Sequence, residues 1–404
     1  MGGYDALESN LFYPGKEIFR VIDMKDSIRK DNLISYFLLL FVNSASAQYF
    51  YLPVYFEYYL NDAEYAFLFS TINVTLRAII SPFAAELLKN KPKLMVSLAF
   101  AYQVVFSLIL FYKLLPPNLL VIVVIATINA VATSLLLFLN AIFFSYSEPT
   151  IFSRYQRANV FISSKFTGYV VGSVVSILIL FFLNSIHFLF LASATIWLIS
   201  IPIIFTLHTR NARINKPNIL EIKRVFTNFS PLLLLSFMFS MSLATMGGLM
   251  EPLIFNNINA VGWFSISFIL ANVLGSIVPL YFPKSKAFIG IVFGMTVSTL
   301  TEFLFPITPQ LYLLVIYGVL SQVGNSLVWP AMIAKIMSRS EYPVLESGIL
   351  TTITDMSTLI ANSFAVLLFP EFNVFTLSLF SVINLAVWII YFLKEKTVLE
   401  DKPG

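Results

Sequence analysis

"LHTRNARINKPNILEIKRVFTNF", residues 207–229, is the longest polar interval between apolar runs in this chain. It carries five Lys/Arg and one Glu, and it lies near the middle of 404 residues. On both sides, apolar stretches follow one another with short breaks. A helical bilayer span needs roughly 20 residues at 1.5 Å each. Six stretches of that order precede the interval, at 33–57, 65–88, 94–112, 118–143, 158–183 and 186–207. Six follow it, at 231–252, 260–282, 287–304, 311–334, 346–369 and 373–393. Only "FLNSIHF", residues 182–188, divides the fifth from the sixth.

Composition agrees with this pattern. The chain is 58% hydrophobic and 11% charged, with a mean hydropathy of +0.84. A soluble domain carries roughly 25% charged residues, so the deficit marks an integral membrane protein. With no cysteine, disulfides, thiolate metal sites and Cys nucleophiles are excluded. His187 and His208 are too few for a histidine metal cluster, and neither metal nor cofactor is expected. No G-x-x-x-x-G-K-[ST] loop occurs, so ATP is not the direct energy source. A membrane-embedded transferase would want clustered carboxylates or a His base at the surface. Neither is evident, and a non-enzyme is expected.

An even number of spans puts both termini on one side, and the positive-inside rule says which. Segments on the terminal side hold 22 of the 25 Lys/Arg, whereas the opposite loops hold only Lys113. Asp62, Glu64, Glu251, Glu302 and Glu371 lie at or near that opposite face. Both termini are therefore expected in the cytoplasm of a cell-membrane protein. The organisation expected is a cytoplasmic segment 1–32, a six-helix bundle 33–208, a cytoplasmic loop 209–229, a second bundle 230–393 and a tail 394–404. Ile18, Val21, Ile22 and Ile28 share one face of residues 1–32, which suits an interfacial helix or a plain cytosolic tail.

The halves resemble each other. The second and eighth spans carry Pro82 and Pro279 near their inner ends, followed by "KNKPK" and "PKSK". The fourth and tenth lead into "SYSEPTIFSRYQRA" and "KIMSRSEYPVLESG". Such repeats commonly build transporters, with the substrate between them near the midplane.

Six plus six helices, cytoplasmic termini and a basic central loop resemble the major facilitator superfamily over about residues 33–393. Its loop motif after the second helix corresponds here to "SPFAAELLKNKPK", residues 81–93. Glu86 stands in place of the motif's Asp, Lys89, Lys91 and Lys93 form its basic run, and its glycines are missing. The resemblance implies an all-α membrane protein of two pseudo-symmetric bundles that alternate access to a central site. It also implies that spans one, four, seven and ten line the cavity, while two, five, eight and eleven join the halves. Glu86 then becomes a candidate for holding the halves together.

Three charges lie deep in the spans. Arg77 is twelve residues from Lys89, about 18 Å in, where Arg costs roughly 2.5–3.5 kcal/mol. Lys165 and Asp355 lie at comparable depth in spans five and eleven. Two roles are open to the trio: an Arg77–Asp355 latch between halves, or a charged cavity floor in which Arg77 and Lys165 hold an anionic group. Asp355 is then the candidate proton-coupling residue. Polar side chains expected to complete a substrate site are Asn43, Gln48, Asn129, Thr133, Gln322 and Asn325, with interhelical glue as the alternative. Gly247, Gly248 and Glu251 in "TMGGLMEP" suit a gating bend. Tyr49, Tyr51, Tyr55, Tyr58 and Tyr59 resemble an interfacial aromatic belt.

The function expected is secondary active transport of a small organic solute, anionic or zwitterionic, with protons as the coupling ion. Its rivals are export of hydrophobic or amphiphilic compounds and a lipid-linked transferase. The partners expected are the solute, the bilayer and protons, with no nucleic acid, for a monomer.

Overall fold

The computed structural model describes residues 33–60, 64–88, 90–140, 151–207, 258–281 and 343–368, with scattered residues in the intervals. Each of these segments is helical over most of its length. The first is α1 (Leu33–Ala47), which tightens to a 3₁₀ turn at Gln48–Tyr51 and continues as α2 (Leu52–Leu60). The tightening falls one turn before Pro53, which has no N–H to give the carbonyl of Tyr49. In the second span α3 (Glu64–Ile80) meets a 3₁₀ turn Ser81–Phe83 at Pro82, then α4 (Ala84–Leu88).

Next come α5 (Pro92–Phe111), α6 (Leu119–Leu135), α7 (Ile151–Leu183) and α8 (His187–Phe205). α9 (Ile258–Tyr281) and α10 (Pro343–Leu368) match the eighth and eleventh expected spans. The Asn118 side chain caps α6 by accepting from Leu120 N at 2.9 Å. The division inside 182–188 is real: Asn184 adopts a φ of +46°, and its N–H donates to Leu180 O at 3.0 Å. Asn tolerates that left-handed conformation and closes the helix there. α7 starts seven residues before the expected boundary of 158, because Ser153–Arg157 continue the helix beyond its apolar part. The expected spans seven, nine, ten and twelve lie largely outside the described residues.

Among the described residues four helices are long and apolar enough to cross a membrane: Pro92–Phe111, Leu119–Asn140, Ala158–Leu183 and His187–Phe205. Their outward faces carry Leu98, Val105, Leu120, Leu178, Phe181 and Leu198, all exposed. A water-soluble protein does not sustain such a surface; this is a multi-pass membrane protein.

Two apolar clusters centre on the first half, and the first also takes in Leu345 and Ile349 of α10. One gathers Leu38, Phe100, Phe138 and Trp197, with Phe100 and Trp197 rings 5.6 Å apart. The other holds Tyr55, Phe56, Phe69, Phe106 and Phe190, where Phe69 stacks on Phe106 at 5.5 Å. Tyr55 is fully buried against Phe190, so it is core and not part of an aromatic belt. Tyr59 does sit with interfacial groups: Lys113 Nζ lies 4.4 Å from its ring centroid.

α7 is fastened to α1 along one seam. Ser164, Gly168, Gly172 and Ser176 recur every four residues and share a face. A Cβ on Gly168 would lie 2.5 Å from Leu40 O, and one on Gly172 2.5 Å from Ala47 Cβ. Only glycine permits that approach, and it is the small-residue packing that membrane helices favour.

Candidate functional site between the two halves

Arg77 sits on α3, and Ile79, two residues on, is 59% exposed. At about 100° per residue Arg77 points almost directly away from Ile79, toward the interior. There it meets Asp355 of α10. Nε donates to Oδ2 at 2.7 Å and Nη2 donates to Oδ1, a two-bond fork between halves of the chain. The Asp355 side chain is 5% exposed and that of Arg77 29%. The carboxylate is enclosed, while the Arg77 side chain as a whole is half-buried.

Below the ion pair, toward residues 81–88, α10 presses against α3, the Ser81–Phe83 turn and the end of the Leu119–Asn140 span. Thr352 Oγ1 donates to Ala78 O at 2.7 Å, and Asn140 Nδ2 donates to Ser347 Oγ at 3.1 Å. Gly348 lies against the Ser81–Pro82 backbone, where an added Cβ would be 2.8 Å from Ser81 C and 3.1 Å from Pro82 Cα. A second contact joins α7 to α9, where Phe166 packs on Gly275. Glu346, the first residue of the expected eleventh span, is 3% exposed.

Lys165 and Tyr169 lie one turn apart on α7, in the sector between its α1 and α9 contacts. That sector is opposite the exposed Val171, Val174, Leu178 and Phe181, so both residues face inward. Tyr169 comes within electrostatic reach of Arg77. Lys165 is half-buried, and among the described residues no carboxylate lies within ion-pairing distance of it.

The other expected site residues divide into groups. Gln48 is fully buried, and both ends of its amide are engaged by α7: Nε2 donates to Gly172 O at 2.9 Å, and Ser176 Oγ donates to Oε1 at 2.6 Å. Asn43 turns back on its own helix, Nδ2 donating to Leu39 O at 2.6 Å. Thr133 bonds the Asn129 carbonyl at 2.8 Å. In this conformation these groups join or brace helices. Asn129 is 8% exposed and belongs to a chain of side chains that sequence patterning did not pick out.

In that chain Tyr49 Oη donates to Gln103 Oε1 at 3.0 Å, and Gln103 Nε2 donates to Asn129 Oδ1 at 2.7 Å. Asn129 Nδ2 then donates to Asn73 Oδ1 at 3.1 Å. Asn73, one turn before Arg77, brings the chain to the ion pair's side of α3. Tyr49 is therefore part of the interior network, which corrects its reading as an interfacial residue. Glu86 is exposed on α4. Gln322, Asn325, Gly247, Gly248 and Glu251 lie outside the described residues.

No family model matches the chain, and no curated protein matches it. Solved structures do. The human organic anion transporter MFSD10 (TETRAN) superposes with a TM-score of 0.73 at 10% identity, covering 90% of this chain and 99% of that one. A bacterial homologue of the iron transporter ferroportin, in an outward-facing state, gives 0.67 at 14% identity, covering 89% and 99%. The E. coli fucose:proton symporter FucP gives 0.63 at 12% identity, covering 93% and 100%. The chain has the fold of the major facilitator transporters.

Proposed function

We propose that this protein is a secondary active transporter for a small organic anion, working by alternating access between bundles 33–208 and 230–393. One observation carries the proposal. Arg77 forms a two-bond fork with a buried carboxylate of the other half, deep in the expected spans. Inward-facing Lys165 adds a second positive charge with no acidic partner among the described residues. Asp355 occupies the place that a substrate carboxylate would take. That MFSD10 is an organic anion transporter and FucP a proton symporter supports the same reading. Export of hydrophobic compounds would leave the paired charges only the role of a latch between halves.

Energetics link binding to movement. Withdrawing one member of a buried ion pair costs about 3–5 kcal/mol, which keeps the halves together when the site is empty. A substrate carboxylate that takes over the Arg77 fork offsets that cost, because the guanidinium exchanges one bidentate partner for another. Asp355 is then enclosed without its cation and is stabilised by taking up a proton. One anion and one proton thus enter together. With the termini cytoplasmic, the contacts of Ser81, Asn140, Ser347 and Gly348 close the inner side, and the site is reached from outside.

Proteoliposomes containing the protein test this. A panel of labelled carboxylates should include at least one accumulated under an inward proton gradient and released when the gradient is collapsed. Uptake that ignores both carboxylate and gradient would remove the proposal.

A further inference from the structure

We infer that Asn73 is a second binding residue of the Arg77 site, an uncharged donor that selects carboxylates bearing another oxygen acceptor about one helical turn away. Dicarboxylates and oxo-carboxylates fit, and monocarboxylates and ω-amino carboxylates fit less well. This rests on reading Arg77 as substrate-binding and narrows the class of anion it takes.

Asn73 and Arg77 are four residues apart on α3, so they share a face with Cβ atoms about 5–6 Å apart. An Asn in isolation could present either its oxygen or its nitrogen. Here the structure places its oxygen toward Asn129, at the end of a chain of bonds. Tyr49 Oη, which also lies 2.8 Å from Ser107 Oγ, donates to Gln103 Oε1, and the Gln103 nitrogen faces Asn129. Asn129, with its oxygen taken, turns its own nitrogen to Asn73 Oδ1. Four side chains from four helical segments point the same way, and none can reverse alone without placing two donors or two acceptors face to face. Gln103 is 1% exposed and Asn129 8%, so water does not readily offset such a mismatch.

The relay ends on Asn73 Nδ2. Among the described residues this group has no acceptor, and the residue is half-buried on the inward side of α3. Head-to-tail bonding also polarises each amide and strengthens the last donor. The face shared by Asn73 and Arg77 is therefore built from donors alone. A ligand oxygen beside the bound carboxylate is welcomed there, whereas an ammonium meets donors it cannot pair with. Among the described residues each amide nitrogen along the relay has an acceptor except the one beside Arg77. Interhelical glue alone does not require that ending.

The experiment is calorimetric titration of the purified full-length protein with three ligands of one chain length: glutarate, valerate and 5-aminovalerate. Wild type should bind glutarate tightest, roughly tenfold to a hundredfold better than valerate, as expected for one hydrogen bond to a charged acceptor. Asn73→Leu should bring glutarate down to the valerate level and leave valerate unchanged. Asn73→Asp keeps an oxygen for Asn129 to donate to, and should move the preference to 5-aminovalerate. Gln103→Leu, which touches no ligand, should weaken the glutarate preference by freeing Asn129 to turn. If glutarate and valerate bind through Arg77 but Asn73→Leu weakens them equally or not at all, the inference fails and the anion site stands. If none of the three ligands binds the wild type, or Arg77→Lys binds them all as well as wild type, both fail together.

Discussion

Gly348→Ala is the sharpest probe of the closed inner side. The added Cβ would lie 2.8 Å from Ser81 C and 3.1 Å from Pro82 Cα, where 3.4–4 Å is ordinary contact. These are main-chain atoms of a proline-containing turn, so no side-chain rotation relieves them. Overpacking of this kind costs about 1–3 kcal/mol. Alanine also improves helix propensity by about 1 kcal/mol, but it does so whether the halves are joined or apart, and that gain cancels. The equilibrium between closed and open inner sides should shift by the full steric cost, roughly fivefold to 150-fold.

The chain has no cysteine, so Ser134→Cys supplies a single reporter. Ser134 is fully buried, with its hydroxyl 3.3 Å from that of Ser81. Alkylation from the cytoplasmic side should accelerate by that factor when Gly348→Ala is added. An unchanged rate in a protein that folds and inserts normally would show that the Gly348 contact does not hold the gate.

Asp355→Asn should abolish accumulation driven by a proton gradient while solute exchange persists; gradient-driven accumulation by the mutant would exclude Asp355 from coupling. Gly172→Val, whose Cβ falls on Ala47 and Ser44 of α1, should lower thermal stability by about 1–3 kcal/mol, read by the melting temperature in detergent. An unshifted melt would mean α1 and α7 are not packed as described. Asp62→Cys should react with an impermeant maleimide from outside, and Asn215→Cys and Ser285→Cys only after permeabilisation. External labelling at 215 would overturn the topology.

Among the described residues the helical plan was legible in sequence because lipid allows few alternatives: long apolar runs must be helices. Asn184 could be placed in a turn because it is one of few polar residues in its neighbourhood. Arg77 and Asp355 were legible for a similar reason, as charges where charge is costly. Which uncharged polar residues belong with them was not. Gln48, Asn43 and Asn73 are equally polar and comparably placed in sequence. Their roles depend on which neighbour each meets: Gly172 for Gln48, its own helix for Asn43, Asn129 for Asn73. Gly348 was hidden in the same way, since only the Ser81–Pro82 backbone opposite gives it a purpose. Tyr49 joined a run of tyrosines that composition assigns to the membrane interface, and only its bond to Gln103 places it within the bundle.

Ligand binding by the double variant Arg77→Leu with Asp355→Leu separates a substrate site from a latch. Arg77→Ala alone leaves Asp355 buried without its cation, a loss of about 3–5 kcal/mol that obscures any change in affinity. Removing both charges together leaves two apolar side chains in contact, a change that is often neutral or stabilising. The site account predicts that this variant folds, melts near the wild-type temperature and no longer binds any carboxylate that the wild type binds. Wild-type carboxylate affinity in that variant would mean that Arg77 and Asp355 only fasten the two halves together.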